Sequence, residues 1–261
     1  MRRYAKIYRQ FFLSSLAREL EFRVNFLAKI LRNLTWAVFF SLIVLVIFQR
    51  TKTVAGWTLN EMLVLTATSF LTYSIHAVFA TSLSELPQQI RLGTLDFVVT
   101  KPVDSQFWVS SRRFSFDRVA DIFVQGSVIA WFGSRISPAP DALQWAGFVW
   151  LLLCGVAIFY GITLLLMTLS IYFVRVDNLW VLGEMVFDVS RYPLEIFPRL
   201  TQRIMLFGLP LGAVAYVPTM ILRTGWSPQL LAIGTSWAVF MLVTTRLFWR
   251  RALRDYSSAS S

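Results

Sequence analysis

From Ala142 to Val174 the chain runs without a single charged residue. A helix of that composition outlasts the roughly 20 residues needed to cross a bilayer. It predicts a spanning helix that tilts or projects beyond the membrane. The rest of the chain agrees. Of its 261 residues 56% are hydrophobic and 15% are charged, against roughly 25% charged in a typical soluble domain. Six more apolar segments lie at about residues 27–48, 60–82, 119–136, 179–197, 204–222 and 229–249. There is no barrel-type alternation and no internal repeat. The expectation is an all-α polytopic membrane protein, one transmembrane domain over residues 1–261.

The net charge of +11 first admits nucleic acid as a partner. Its distribution argues otherwise. Basic residues gather before or at the start of the first apolar segment (Arg2, Arg3, Lys6, Arg9, Arg18, Arg23, Lys29, Arg32). They recur between the second and third (Arg91, Lys101, Arg112, Arg113, Arg118) and at the C-terminal end (Arg246, Arg250, Arg251, Arg254). The positive-inside rule places all three regions in the cytoplasm, and nucleic acid is not expected as a partner. Two cytoplasmic ends need an even number of spans, so one of the seven segments does not cross and six do. Residues 204–222 hold Gly208, Pro210, Gly212 and Pro218, whose freed backbone groups suit a re-entrant hairpin. Leaving 179–197 uncrossed would instead keep Arg191, Arg199 and Arg203 inside. The residues leave both choices open. Trp57, Trp145 and Trp226 fall near the outer face of this scheme, and Trp108, Trp180 and Trp249 near the inner one, as in aromatic belts.

Scarce residues exclude much chemistry. Cys154 and His76 are the only cysteine and histidine, too few for a zinc or iron site. No Ser-His-Asp set and no Gly-x-x-x-x-Gly-Lys-Ser/Thr loop occurs, so the chain reads as no enzyme, with no metal and no cofactor of its own. His76 reads as a hydrogen-bonded packing residue, and Glu61 and Asp121 as capping or snorkelling groups near helix ends. A cleaved signal peptide is not expected, because charges resume at Arg18.

Three stretches stand out. Residues 4–24 carry Tyr4, Ile7, Tyr8, Phe11, Phe12, Leu16, Leu20 and Val24 at three- and four-residue steps, an amphipathic helix lying at the membrane interface or packed on a partner. In the fifth apolar segment, Asp177, Glu184, Asp188, Arg191 and Glu195 fall on one helical face. Pro193 should kink or end the regular helix near Val189 and so detach Glu195. Charges inside a bilayer are costly unless they face water or a partner. Glu184 and Asp188 are therefore expected to face a cavity or a subunit interface, with Arg191 partly neutralising them; the alternative is an ion-pair set that only holds helices together. Two acids tilt the expected cargo weakly toward a cation. The third stretch is the polar loop 84–118, interleaved with Leu86, Ile90, Leu92, Leu95, Phe97 and Val99. A short helix over about 86–92, a turn at Gly93 and a stop at Lys101-Pro102 would make it a docking surface.

Ile90-Arg91-x-Gly93-Thr94-Leu95-Asp96, followed by Lys101-Pro102-Val103, resembles the loop after the second helix in permease subunits of type 2 ATP-binding-cassette exporters. Glu19-x-Glu21-Phe22-Arg23-x-Asn25-Phe26 and Trp249-Arg250-Arg251-Ala252-Leu253-Arg254-x-Tyr256 resemble an uncharacterised bacterial branch of that family. Tyr192-Pro193 through Pro198, Leu209-Pro210 and Tyr216-x-Pro218 resemble its outer hairpin. The resemblance implies six spans, an interfacial helix over 4–24, a coupling loop over 84–118 and a re-entrant hairpin over 199–223 marked by Pro198, Pro210 and Pro218. It favours the sixth apolar segment as the one that does not cross. It also implies that Arg91, Gly93, Leu95, Asp96 and Pro102 face an ATPase subunit. ATP and Mg would be bound by those partner subunits, and a second permease, the same or related, would complete the path. The location implied is the bacterial inner membrane. Against this stand a channel or anchoring subunit without ATPase, and a membrane-embedded lipid-modifying enzyme.

Overall fold

The computed structural model describes residues 2–173 and 179–256. Asp177 of the charged stripe lies outside them. Among the described residues the fold is helical, and its one β-type pairing is an isolated bridge between Val54 and Trp57.

The chain opens with α1 (Arg2–Glu21) and α2 (Arg23–Phe48), separated only by Phe22. Lys29 bridges back to Glu19 at 3.1 Å across that joint. The aromatic face of α1 is largely consumed by its own chain: Tyr4 stacks edge-on to Phe107, Tyr8 to Phe114, Phe11 to Trp108 and Phe12 to Phe116. α3 (Leu59–Ala80) follows. Its start is fixed by Glu61, whose carboxylate accepts the Thr58 N–H at 2.7 Å, a satisfied orphan donor of the first turn. α3 is buried along most of its length although it carries Thr66, Thr68, Ser69, Thr72, Ser74 and His76. Thr68 and Thr72 return their hydroxyls to carbonyls one turn back, at 2.7 and 2.9 Å, which removes the cost of burying them.

A 3₁₀ turn (Thr81–Glu85) leads into three short helices, α4 (Leu86–Arg91), α5 (Asp96–Val99) and α6 (Ser105–Ser111). α7 (Asp117–Gly133) and α8 (Ala142–Thr168) come next. The entry to α8 is a reciprocal capping box between Asp141 and Gln144. α9 (Leu179–Asp188) then ends, as Pro193 requires, in a 3₁₀ turn (Val189–Arg191). The chain stays broken through a second 3₁₀ turn (Leu194–Ile196), α10 (Arg199–Arg203), a π-helical turn (Ile204–Gly208) and α11 (Tyr216–Thr224). α12 (Pro228–Asp255) closes the fold, with Ser227 accepting the Leu230 N–H and Pro228 in its first turn.

α3 is the hub, packed against α7, α8 and α2, while α8 carries α12 and α11 on its other sides. Two glycines permit the closest approaches. A Cβ on Gly155 would sit 2.3 Å from the Val214 carbonyl oxygen, and one on Gly234 would sit 2.3 Å from Leu151 Cδ2. Among the described residues four helical stretches are long and apolar enough to cross a membrane: Arg23–Phe48, Leu59–Arg91, Ala142–Ile171 and Pro228–Asp255. The exposed apolar side chains of α2 and α12, such as Val38, Phe39, Phe240 and Val243, belong on a lipid or subunit face.

Two expectations about tryptophan fail. Trp57 and Trp249 are fully buried, so they are not belt residues. Each indole N–H has a partner inside the fold, Glu195 at 3.0 Å for Trp57 and Ser105 at 3.1 Å for Trp249. A ring whose polar tip is already bonded gains nothing from the head-group layer.

Candidate functional site

Glu184, Asp188 and Arg191 do converge, although α9 stops before Arg191 is reached. The 3₁₀ turn keeps the arginine near the face carrying the two acids, and Arg191 Nη2 bridges to Asp188 Oδ1 at 2.7 Å. All three line a cleft of about 810 Å³ together with Arg118, Tyr73, Phe70, Arg32 and other residues of α2. Each charge is held differently. Tyr73 Oη donates to Glu184 Oε1 at 2.6 Å and Trp180 Nε1 donates to the same oxygen at 3.1 Å. Arg191 lies between two rings, 4.6 Å from the centroid of Phe40 and 4.5 Å from that of Phe70. Such cation–π contacts are worth about 0.5–2 kcal/mol each. Its Nε and Nη1 are buried and have no hydrogen-bond partner.

The cleft wall continues into α7. Arg118 lies over the Tyr73 ring at 4.8 Å and bridges to Asp121 at 3.4 Å and Asp117 at 3.8 Å. Asn33 donates to Asp117 at 2.9 Å in a fully buried bond. Asp121 is thus no capping or snorkelling group: it is buried, and its Oδ1 has no partner. His76 departs from its expected hydrogen bond as well. It packs on Phe159 at 4.3 Å, and neither ring nitrogen is bonded.

Glu195 leaves the stripe. It accepts from Trp57 Nε1 at 3.0 Å and from Tyr216 Oη at 2.8 Å. Arg223 joins this second network, 3.2 Å from Glu61 and 2.7 Å from the Gly56 carbonyl. The prolines of residues 199–223 and their flank are spread along the broken segment. Pro198 precedes α10, Pro210 sits in the turn after the π-helical stretch, and Pro218 falls in the first turn of α11, where a missing N–H costs nothing.

In the loop, α4 stops at Arg91 and the chain reverses at Gly93, whose φ of +68° favours glycine. Leu95 N–H returns to the Gln89 carbonyl at 3.2 Å. The reversal buries Leu86, Leu95 and Val98 and exposes Leu92, Phe97 and Val99. Leu95 therefore cannot face a partner, because its side chain fills the space between the short helices and α8. Arg91 and Pro102 are exposed, and Asp96 is half-buried. The pKa of the Tyr256 hydroxyl is pushed up to about 12 by burial and by the nearby Asp96 carboxylate.

The last helix grips this loop from the side. Arg246 pairs with both carboxylate oxygens of Asp104 and donates to Gln106 Oε1 at 2.9 Å. Asp104 caps α6 by accepting the Phe107 N–H at 2.9 Å. Arg246 holds the Asp104 carboxyl below the usual carboxylate range, assisted by that backbone bond and opposed by partial burial. Glu85 receives Arg112 and Arg113 at the loop's other side, and burial lowers the pKa of both arginines. Sequence reasoning missed Arg118, Tyr73 and the Asp104–Arg246 pair. Asp117-Arg118 at the mouth of an apolar segment was the available signal for the first; the last joins residues far apart in the chain.

A family model described as ABC-2 family transporter protein matches residues 34–260. No curated protein matches the chain.

Proposed function

The chain belongs to the ABC-2 transporter family, and from that premise we infer that it is the permease subunit of an ABC exporter. It pairs with a second permease, the same or related, and is driven by separate ATPase subunits that bind ATP and Mg. Six segments span the bilayer in this reading: α2, α3, α7, α8, the segment containing α9, and α12. The broken stretch from α10 through α11 is a re-entrant hairpin reaching in from the outer face, and both ends of the chain lie in the cytoplasm of a bacterial cell. The end of its irregular stretch, Leu211 to Val214, packs with α8, and α11 packs on α8 and α3, as non-helical backbone at membrane depth requires.

The observation that carries the reading is the loop. Leu92, Phe97 and Val99 stand exposed on a compact reversal, beside Arg91, while Arg246 and Trp249 tie the start of α6, further along the same loop, to α12. An ATPase pressing on those apolar side chains would move α12 with the loop, and through it the helices that wall the cleft. Glu184, Asp188 and Arg191 then belong to the translocation path. Co-purification tests this directly. The solubilised protein should carry an ATPase with it, and Leu92→Asp with Phe97→Asp should abolish that association while leaving membrane insertion intact. An unchanged complex in the double variant would remove the loop from the interface.

A further inference from the structure

The donors and acceptors around the cleft do not balance. Glu184 accepts from Tyr73 and Trp180, and Asp188 accepts from Arg191. The acids are engaged. Among the groups that line the cleft, the donors left over belong to Arg191, nine-tenths buried, with Nε and Nη1 unbonded, while the acceptor left over, Asp121 Oδ1, lies in the wall behind them. A buried guanidinium N–H without an acceptor costs on the order of 1–3 kcal/mol or more, and the flanking Phe40 and Phe70 rings supply attraction but no acceptor. Arg32 lines the same cleft, and among the described residues its one hydrogen bond goes to the neighbouring Asn33, at 3.4 Å.

Apolar surface lies alongside these groups. Leu31, Trp36 and Phe70 line the cleft with Arg32 and Arg191. Leu31 and Trp36 stand on α2 and are exposed along that helix, so the cleft communicates with the surface that α2 presents to its surroundings. Arg32 lies nine residues into α2 and Arg118 at the start of α7, whereas Arg191 meets Phe40 and Phe70 near the middle of α2 and α3. The cleft thus runs from one end of the bundle toward mid-depth.

We propose that this cleft binds an anionic phosphate-bearing group through Arg191 and Arg32, with Leu31, Trp36 and Phe70 receiving an attached apolar chain. The assignment rests on the cleft being part of the transport path, and it reverses the cationic tilt that Glu184 and Asp188 gave in the sequence. An anion that draws the guanidinium toward the cleft supplies the acceptors that its enclosed Nε and Nη1 lack, and Asp188 keeps its place on Nη2. The acids hold the site in shape and repel an anion that reaches in without engaging the arginines.

Three probes on the full-length protein in nonionic detergent micelles separate the sources: dihexanoyl phosphatidylglycerol, dihexanoyl phosphatidylcholine and inorganic phosphate, each followed by calorimetric titration. The expected result is saturable binding of the phosphatidylglycerol, at least about tenfold tighter than the phosphatidylcholine and weakened about tenfold by Arg191→Gln. Arg32→Gln, at an exposed position that threatens folding little, should weaken it several-fold. Phosphate binding as tightly as the lipid would support the anion site and remove the apolar chain from it. Equal binding of the two lipids, or full affinity in both variants, would overturn the proposal. These titrations need no ATPase. Failure here with an ATPase still co-purifying would sink the anion site alone, and success here without an ATPase would sink the export reading alone.

Discussion

The loop of α4 to α6 and the cleft beside α9 both gather charges on a hydrophobic chain, yet they treat them differently. In the loop the buried and half-buried charges meet opposite charges across the fold: Arg246 holds Asp104, and Arg112 and Arg113 hold Glu85. The aromatic anchor, Trp249, is both buried and bonded. In the cleft, Arg191 and Asp121 keep charged groups with unpartnered atoms, whereas the unpartnered buried atoms in and beside the loop, Gln89 Oε1 and Tyr256 Oη, belong to neutral side chains. A satisfied network resists change and transmits force. An unsatisfied one is held in place by the packing around it and gains when something else arrives. The contrast underlies the proposal that one is a structural joint and the other a binding cleft.

The comparison breaks most visibly at the joint. Trp249→Ala removes a fully buried ring and its bond to Ser105, and should cost about 3–5 kcal/mol, read as a large drop in thermal unfolding temperature in detergent. Gly155→Ala should follow at about 1–3 kcal/mol, because the new methyl meets backbone, the Val214 carbonyl, and not a flexible side-chain tip. The cleft should behave in the opposite way. Arg191→Met keeps bulk between Phe40 and Phe70, and removing two unbonded buried donors offsets the lost cation–π contacts and the lost pairing with half-exposed Asp188, so stability should change by no more than about 1–2 kcal/mol. A loss as large as that of Trp249→Ala would make Arg191 a structural pillar and erase the distinction.

The smallest effect sharpens the joint. Asp104→Asn keeps a side-chain oxygen for the Phe107 N–H and removes the charge facing Arg246. The pair is partly exposed, so the loss should be about 0.5–1 kcal/mol. Its pH dependence has a definite sign. The folded carboxyl titrates below its unfolded value, so its contribution is present above the ordinary carboxylate range and fades as pH falls through the lower folded pKa. As pH falls below the ordinary carboxylate range the native protein should lose more stability than Asp104→Asn; parallel curves would show that the pair carries no linked proton.

Much of this was legible from local pattern. The charge-free run fixed α8 to within a few residues, Pro193 ended α9 where it had to, and Gly93 took the left-handed turn. Those outcomes depend on residues within one or two turns of each other. The errors share another cause. Leu95 looked like a surface residue and Trp57 and Trp249 like belt residues, because hydrophobicity does not say whether an apolar side chain meets lipid, a partner or the protein's own interior.

By itself the sequence determined a helical membrane protein with a basic, partly apolar loop and a charged face on its fifth apolar segment. Spacing along a helix settles those features, since i and i+4 neighbours are set by the backbone. Only the tertiary structure decided which charges are satisfied. Asp104 finds Arg246, Glu195 finds Trp57 and Tyr216, and Glu184 finds Tyr73, each across separate helices or segments. Those pairings depend on how helices pack, and the same packing leaves Arg191 buried with two donors and nothing to receive them.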